Sequence, residues 1–253
     1  MQRTILLSST LYRAEFPAER ARAAAALCSL RAARQQRLPV VLVDAGSDAD
    51  FLLQARMLGA EVAPQQGGTL GAARRQAIRM ALQTDAQLLV YTELEKDSFL
   101  QCLPKILAAI PNASGVFLIP ARESLHSYPA FQAQSEQRLN RVFKELTGLP
   151  LDVAFGPRIW SRELSKYFLD YQGEYGDSWE FLFIPLLRAL AEAVTLSSCS
   201  IDYTNPPDQS AAEQHSSQYF IKRQLQCDSI TAALRAESTK LQLAESSAFA
   251  IVR

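Results

Sequence analysis

The chain is 253 residues long, 48% apolar and 21% charged, with 26 Lys and Arg balancing 26 Asp and Glu. That length and composition provide a substantial core and set aside disordered, collagen-like and coiled-coil classes. Zero net charge sets aside a dedicated nucleic-acid binder, which carries a basic surface.

The balance is uneven: residues 1–80 carry 11 arginines and no lysine against 6 acids, and the rest of the chain carries the matching acidic excess. No apolar run approaches the roughly 18 residues of a membrane span, and the opening stretch is too short for a secretory core. Cys28, Cys102, Cys199 and Cys227 are widely separated, without metal-binding spacing, and the mostly apolar or small neighbours of the first three imply buried free thiols, which fits a reducing cytoplasm.

The first 120 residues alternate short apolar runs with helical patterns. Strands are expected at Thr4–Ser8, Val40–Val43, Glu61–Ala63, Leu88–Tyr91 and Val116–Ile119. Continuous apolar runs of this length suit strands covered on both faces. Helices are expected at Ala18–Gln35, Ser47–Leu58, Thr69–Gln83 and Ser98–Ala109, the first opened by Pro17. This βα alternation predicts a doubly wound, three-layer α/β/α sheet with right-handed crossovers. After Pro120 the rhythm changes. Helices are expected at Gln132–Thr147, Ser161–Leu169 and Trp179–Ala193, with strands at Val153–Phe155 and Val194–Tyr203. A polar helical tail over Ala211–Gln242, interrupted near Cys227–Ser229, suggests a main domain over 1–205 and a C-terminal extension over 206–253.

In open α/β sheets ligands sit beyond the carboxyl ends of the strands, so the residues following each strand matter most. Asp44 ends the second strand. It suits a ribose or base contact, while Ser47 or Asp48 equally suits a plain helix cap. Gly67, Gly68 and Gly71 open a helix carrying Arg74, an arrangement suited to a diphosphate or simply to a turn beside a solvated helix face. Thr92 and Glu93, then Glu95, follow the fourth strand. In extended backbone the two glutamates point the same way and can share a divalent cation, although acids also favour a helix N-terminus.

Taken together these loops resemble the GT-A glycosyltransferases, closest to their family-two-like and glucosylglycerate-synthase-like branches. The likeness rests on Ser8–Arg13 after the first strand, Val41–Asp48, Gly71–Arg74 and Glu93-Leu94-Glu95, and it spans roughly residues 4–203. It implies a mostly parallel GT-A sheet and transfer of a sugar from a nucleoside diphosphate donor to a hydroxyl acceptor. Asp44 would contact the nucleoside, and Gly71, Arg74, Thr92 and Glu93 the nucleotide or diphosphate. Glu93 and Glu95 would hold Mg²⁺ or Mn²⁺, with His215 completing the metal shell. The sequence departs from the family in reading Glu-Leu-Glu rather than Asp-any-Asp, and in having Ala45 after Asp44.

Phe155–Arg158 resembles the family's acceptor-side loop. Gly176-Asp177 stands where the family often has Glu-Asp, before an apolar helix with a distal arginine, Arg188. Asp177 would then be the base on the acceptor hydroxyl, with Glu180 beside it; alternatively the two form a helix cap. His126 reads as an exposed residue; the pair Lys222-Arg223 could reach phosphate, although an exposed helix face is the simpler reading. Two other functions stay open: a catalytically silent nucleotide-sugar-binding protein, and a sugar-phosphate nucleotidyltransferase, which would want a glycine-rich basic loop after the first strand. Self-association is left open by the sequence.

Overall fold

The computed structural model describes residues 3–110, 112, 114–214, 216–243 and 249–251. Among them, eight strands form one sheet: β1 (Thr4–Thr10), β2 (Val40–Asp44), β3 (Ala60–Pro64), β4 (Leu88–Tyr91), β5 (Phe117–Arg122), β6 (Arg158–Ser161), β7 (Leu196–Ile201) and β8 (Phe249–Ile251). Their order across the sheet is β3-β2-β1-β4-β6-β5-β7-β8. All neighbours run parallel except β6, which is antiparallel to both β4 and β5. β1 lies at the switch point, Leu6 standing between Val40 of β2 and Val90 of β4. The ends of β1, β2 and β4 therefore open onto one crevice.

The helices are α1 (Pro17–Gln35), α2 (Ala49–Met57), α3 (Leu70–Leu82), α4 (Asp97–Ala108), α5 (Ala130–Thr147), α6 (Ser165–Asp170), α7 (Ile184–Ala191), α8 (Pro207–Gln214) and α9 (Ser217–Leu241). Successive strand residues face opposite layers. Leu6, Leu42 and Val90 join one buried cluster with Leu30 of α1, Phe51 of α2 and Phe99 of α4. Leu7, Val43 and Leu89 join the other, with Ala77 of α3, Phe143 of α5, Leu187 of α7 and Leu234 of α9. The apolar runs read from sequence are thus buried on both faces, and the three-layer arrangement is as expected. No helix among the described residues is long and apolar enough to cross a membrane. The four cysteines form no disulfide, but the expected burial fails for three of them: Cys28 is exposed on α1 and Cys102 and Cys199 are half-buried, while Cys227 is buried.

Several boundaries differ from expectation. Val153–Phe155 is a turn, and the strand lies beyond Gly156-Pro157, where Ile159 and Trp160 are completely buried. Gly156 (φ +101°) turns the chain into that strand. The helix expected over Trp179–Ala193 divides into a 3-10 turn (Trp179–Leu182) and α7, with Pro185 in the first turn of α7. The C-terminal tail runs unbroken through Cys227–Ser229, because Cys227 and Ile230 are core residues. α9 instead starts afresh at Ser216, whose hydroxyl accepts from the Tyr219 amide at 3.3 Å.

Candidate functional site

The carboxyl ends of β1, β2 and β4 gather most of the residues singled out from sequence, but in different roles. Asp44 is buried and faces Thr10 of β1 across the ladder. Its carboxylate accepts from Thr10 Oγ1 at 2.8 Å, from the amides of Gly46 and Ser47 at 2.9 Å each, and from the Ser47 hydroxyl. Four hydrogen bonds fill a carboxylate's usual capacity. Asp44 therefore ties the loop after β2 to the end of β1.

Arg74 projects from α3 toward the end of β4. Its Nε donates to the Tyr91 hydroxyl at 2.9 Å and its Nη1 to the Ser178 carbonyl at 3.0 Å. Its guanidinium carbon stands 5.2 Å from the Tyr91 ring centroid and 5.9 Å from that of Phe181. The nearest carboxylate to Nη2 is Glu93, at 3.9 Å, an ion pair without a hydrogen bond. Glu93 Oε2 is buried without a hydrogen-bond partner and fills the space a Cβ on Gly156 would need. Arg74, Glu93, Glu136, Gly156, Trp179 and Arg223 are among the residues around a cavity of about 40 Å³, room for a few waters. Behind it lies Arg158, wholly buried, its Nη2 donating to the Val153 carbonyl at 2.5 Å and its Nε unpartnered. Burial brings the Arg158 pKa down to about 10, against the pull of Glu93.

Glu93 and Glu95 do not converge. The backbone after Tyr91 turns at once, the Lys96 amide donating to the Glu93 carbonyl at 3.0 Å, so the extended geometry assumed from sequence is replaced by a turn. Glu95 goes beneath α1, where Tyr12 Oη donates to it at 2.7 Å and Arg22 Nε at 2.9 Å, with Arg22 Nη2 forming an ion pair. Burial alone would raise its pKa; Arg22's charge and hydrogen bonds outweigh burial and bring it down to about 2. Thr92 is buried, its hydroxyl donating to the Glu93 carbonyl at 3.1 Å.

Asp177 sits over the N-terminus of α3 with a left-handed backbone (φ +56°). Arg75 donates to both its oxygens, and Thr69 hydrogen-bonds one of them. The Arg75 hydrogen bonds hold the Asp177 carboxyl below the ordinary carboxylate range, against partial burial. Gly71 is needed here: its amide donates to the Asp177 carbonyl at 2.8 Å, and a Cβ would overlap the carboxylate. Glu180 is completely buried, its Oε1 accepting from Tyr171 Oη and the Ser178 amide at 2.8 Å each. The helix-cap alternative is therefore realised in part: Glu180, not Asp177, binds the backbone at the start of that turn. His215 lies outside the described residues.

Residues that sequence reasoning passed over also define this region. Arg75 was overlooked beside Arg74. Lys96 Nζ stands 5.2 to 6.0 Å from the ring centroids of Phe155, Tyr203 and Tyr128. Arg122 joins Asp152 and Glu136 in a buried ion cluster. The aromatic residues carry no periodic signal, and the ionic partners are far apart in the chain.

No protein-family profile and no curated protein matches the chain. Solved structures do match. Glucosyl-3-phosphoglycerate synthase from Mycobacterium tuberculosis superposes with a TM-score of 0.67 at 12% identity, over 97% of this chain and 82% of that one. The same enzyme with Mn²⁺, UDP-glucose and glycerol 3-phosphate gives 0.66 at 12% identity, and with UDP 0.65 at 13%, over the same shares of each chain. The chain has the GT-A fold.

A GT-A fold raises the question of a divalent ion, which takes oxygen ligands including one or two carboxylates. Glu95 is committed to Arg22 and Tyr12, Asp177 to Arg75 and Glu136 to Arg122, which leaves Glu93 beside Arg74 at the cavity. Among the described residues no group of three or more His, Cys, Asp or Glu side chains is placed to hold a metal. In this arrangement the side chains present do not fit the ion.

Proposed function

We propose that the protein binds a nucleoside diphosphate sugar at the ends of β1, β2 and β4 and transfers the sugar to a hydroxyl of a small acceptor. One observation carries this reading. On a GT-A sheet shared with UDP-glucose-bound structures, Arg74 and Glu93 flank a cavity beyond the carboxyl end of β4. Departure of a nucleoside diphosphate develops negative charge, which a transferase must meet with fixed positive charge or a cation. Arg74, held by Tyr91 and Ser178, is oriented for that task. Mn²⁺ in the neighbouring structures supports a divalent cation at the level of the fold; the side chains of this chain distribute charge differently, with Glu95 held by Arg22 and Glu93 facing Arg74.

The acceptor hydroxyl needs a base. Asp177 is our candidate, with Glu180 fixing the turn beside it. While Arg75 grips Asp177 its proton affinity is low, so it acts only when the loop around residues 172–178 releases it. The cavity admits a few waters, and donor binding therefore also requires that loop or α9 to withdraw. The test is nucleoside diphosphate release from a panel of UDP- and GDP-sugars, with and without small hydroxyl acceptors. No release from any donor sinks the transferase reading, and undiminished turnover by Asp177→Asn removes Asp177 as the base.

A second reading, a nucleotide-sugar binder without turnover, is favoured by one observation: Glu95 and Asp177 are both spent in ion pairs. Donor binding by calorimetry without product release would select it.

A further inference from the structure

The charges around the cavity are mostly positive once internal pairs are set aside. Glu136 and Asp152 are both bound by Arg122, and Asp152 also accepts from Asn140. Glu93 remains, facing Arg74 at 3.9 Å. Arg122 balances one of its two carboxylates, and against the two negative charges then left stand Arg74 and Arg223 in the lining, with Arg158 buried behind and Lys96 among its aromatic rings. Arg223 comes from α9, its Nη1 donating to Gln226 Oε1 at 2.9 Å and its Nε buried without a partner. Arg158 Nε is likewise unpartnered, so two guanidinium donors near the cavity await an acceptor. Burying a guanidinium without a carboxylate is costly unless an anion joins it.

We propose that this site meets the diphosphate of its donor with Arg74 and Arg223, backed by the charge of Arg158, in place of a divalent cation. The inference rests on the donor reading above. It gives Glu93 a role opposite to that of a metal ligand: its carboxylate holds Arg74 in the empty site and repels the incoming diphosphate. Arginine forks suit this task, since each presents paired donors to phosphate oxygens. Arg223 also makes α9 part of the donor site.

The test is calorimetric titration of the full chain with UDP and with GDP, in chelator and again with Mn²⁺. Equal affinity in the two conditions is expected. Arg223→Gln should weaken binding about tenfold in chelator, the effect of losing a charged donor to an anion. Glu93→Gln should bind more tightly than the parent, and unchanged affinity would remove the repulsion assigned to Glu93. Thermal unfolding of each variant checks that it folds, and the loss of Mn²⁺ resonance amplitude when protein is added, beyond the loss UDP alone causes, reports metal binding at the site. Binding that requires Mn²⁺ and is lost in Glu93→Gln overturns the inference while leaving the donor reading intact. Failure of both nucleotides to bind in either condition overturns the donor reading and the inference with it.

Discussion

Arg75 holds both carboxylate oxygens of Asp177, Nη1 to Oδ1 at 2.6 Å and Nη2 to Oδ2 at 2.8 Å, joining α3 to a loop 102 residues further along the chain. The pair keeps Asp177 in a left-handed backbone that costs a non-glycine residue about 1 kcal/mol. Asp177→Asn keeps the shape and loses the charge. We expect a loss of about 2 kcal/mol, less than for a fully buried pair. Because the folded carboxyl titrates below its unfolded value of about 3.9, this contribution is complete above that pH and fades as pH falls through the folded value. Urea unfolding at about pH 7 and about pH 3 checks it: the gap between parent and variant should shrink at the lower pH.

Gly71 lies in the first turn of α3, where helix propensity favours alanine by about 1 kcal/mol. The Asp177 carboxylate occupies the space of its missing Cβ. Gly71→Ala should therefore destabilise by about 1–3 kcal/mol, against propensity. Gly68→Ala, where no atom lies within 4 Å of a new Cβ, should stay within about 0.5 kcal/mol of the parent. Equal effects of the two substitutions in denaturant titrations would refute the close-contact argument.

Glu95 with Arg22 forms a buried pair, and removing either partner strands the other. Arg22→Met and Glu95→Gln should each cost about 3 kcal/mol, while the double variant should recover much of the loss. The Glu95 pKa of about 2 is below its unfolded value of about 4.3, so its stabilisation is whole above that value and declines as pH falls toward about 2. Single variants with unchanged stability would show that this carboxylate is free after all, as a metal ligand would require.

Much of the fold is legible because β1, β2 and β4 are short runs buried on both faces: Leu88–Tyr91 matches β4 to the residue. β6 was misplaced because Phe155 looked like strand material while Gly156 and Pro157 looked like its end. The turn they make leads into the strand instead. At the site, sequence indicated that charges would gather at the strand ends, and Asp44, Arg74 and Glu93 do lie there. It could not assign their partners. Glu95 and Arg22 are 73 residues apart, and nothing local in either segment records the pairing. The two-residue spacing of Glu93 and Glu95 implied a shared direction only while the backbone stayed extended, and the turn at Lys96 removes that premise.

Arg158 separates function from stability. It is fully buried, has no carboxylate hydrogen-bonded to it, and burial brings its pKa down to about 10. A depression of this size marks a penalty on the order of 3 kcal/mol for keeping the guanidinium charged in the fold. Its hydrogen bonds to the Pro157 and Val153 carbonyls return about 1 kcal/mol each. Arg158→Met keeps the packing volume and removes the charge, so stability should rise by about 1 kcal/mol. Nucleotide affinity should fall in the same variant, because the positive charge behind the cavity is lost. Thermal unfolding and UDP titration on one preparation measure both. A fall in stability would assign Arg158 to the architecture of the strand, and unchanged affinity would remove it from the donor site.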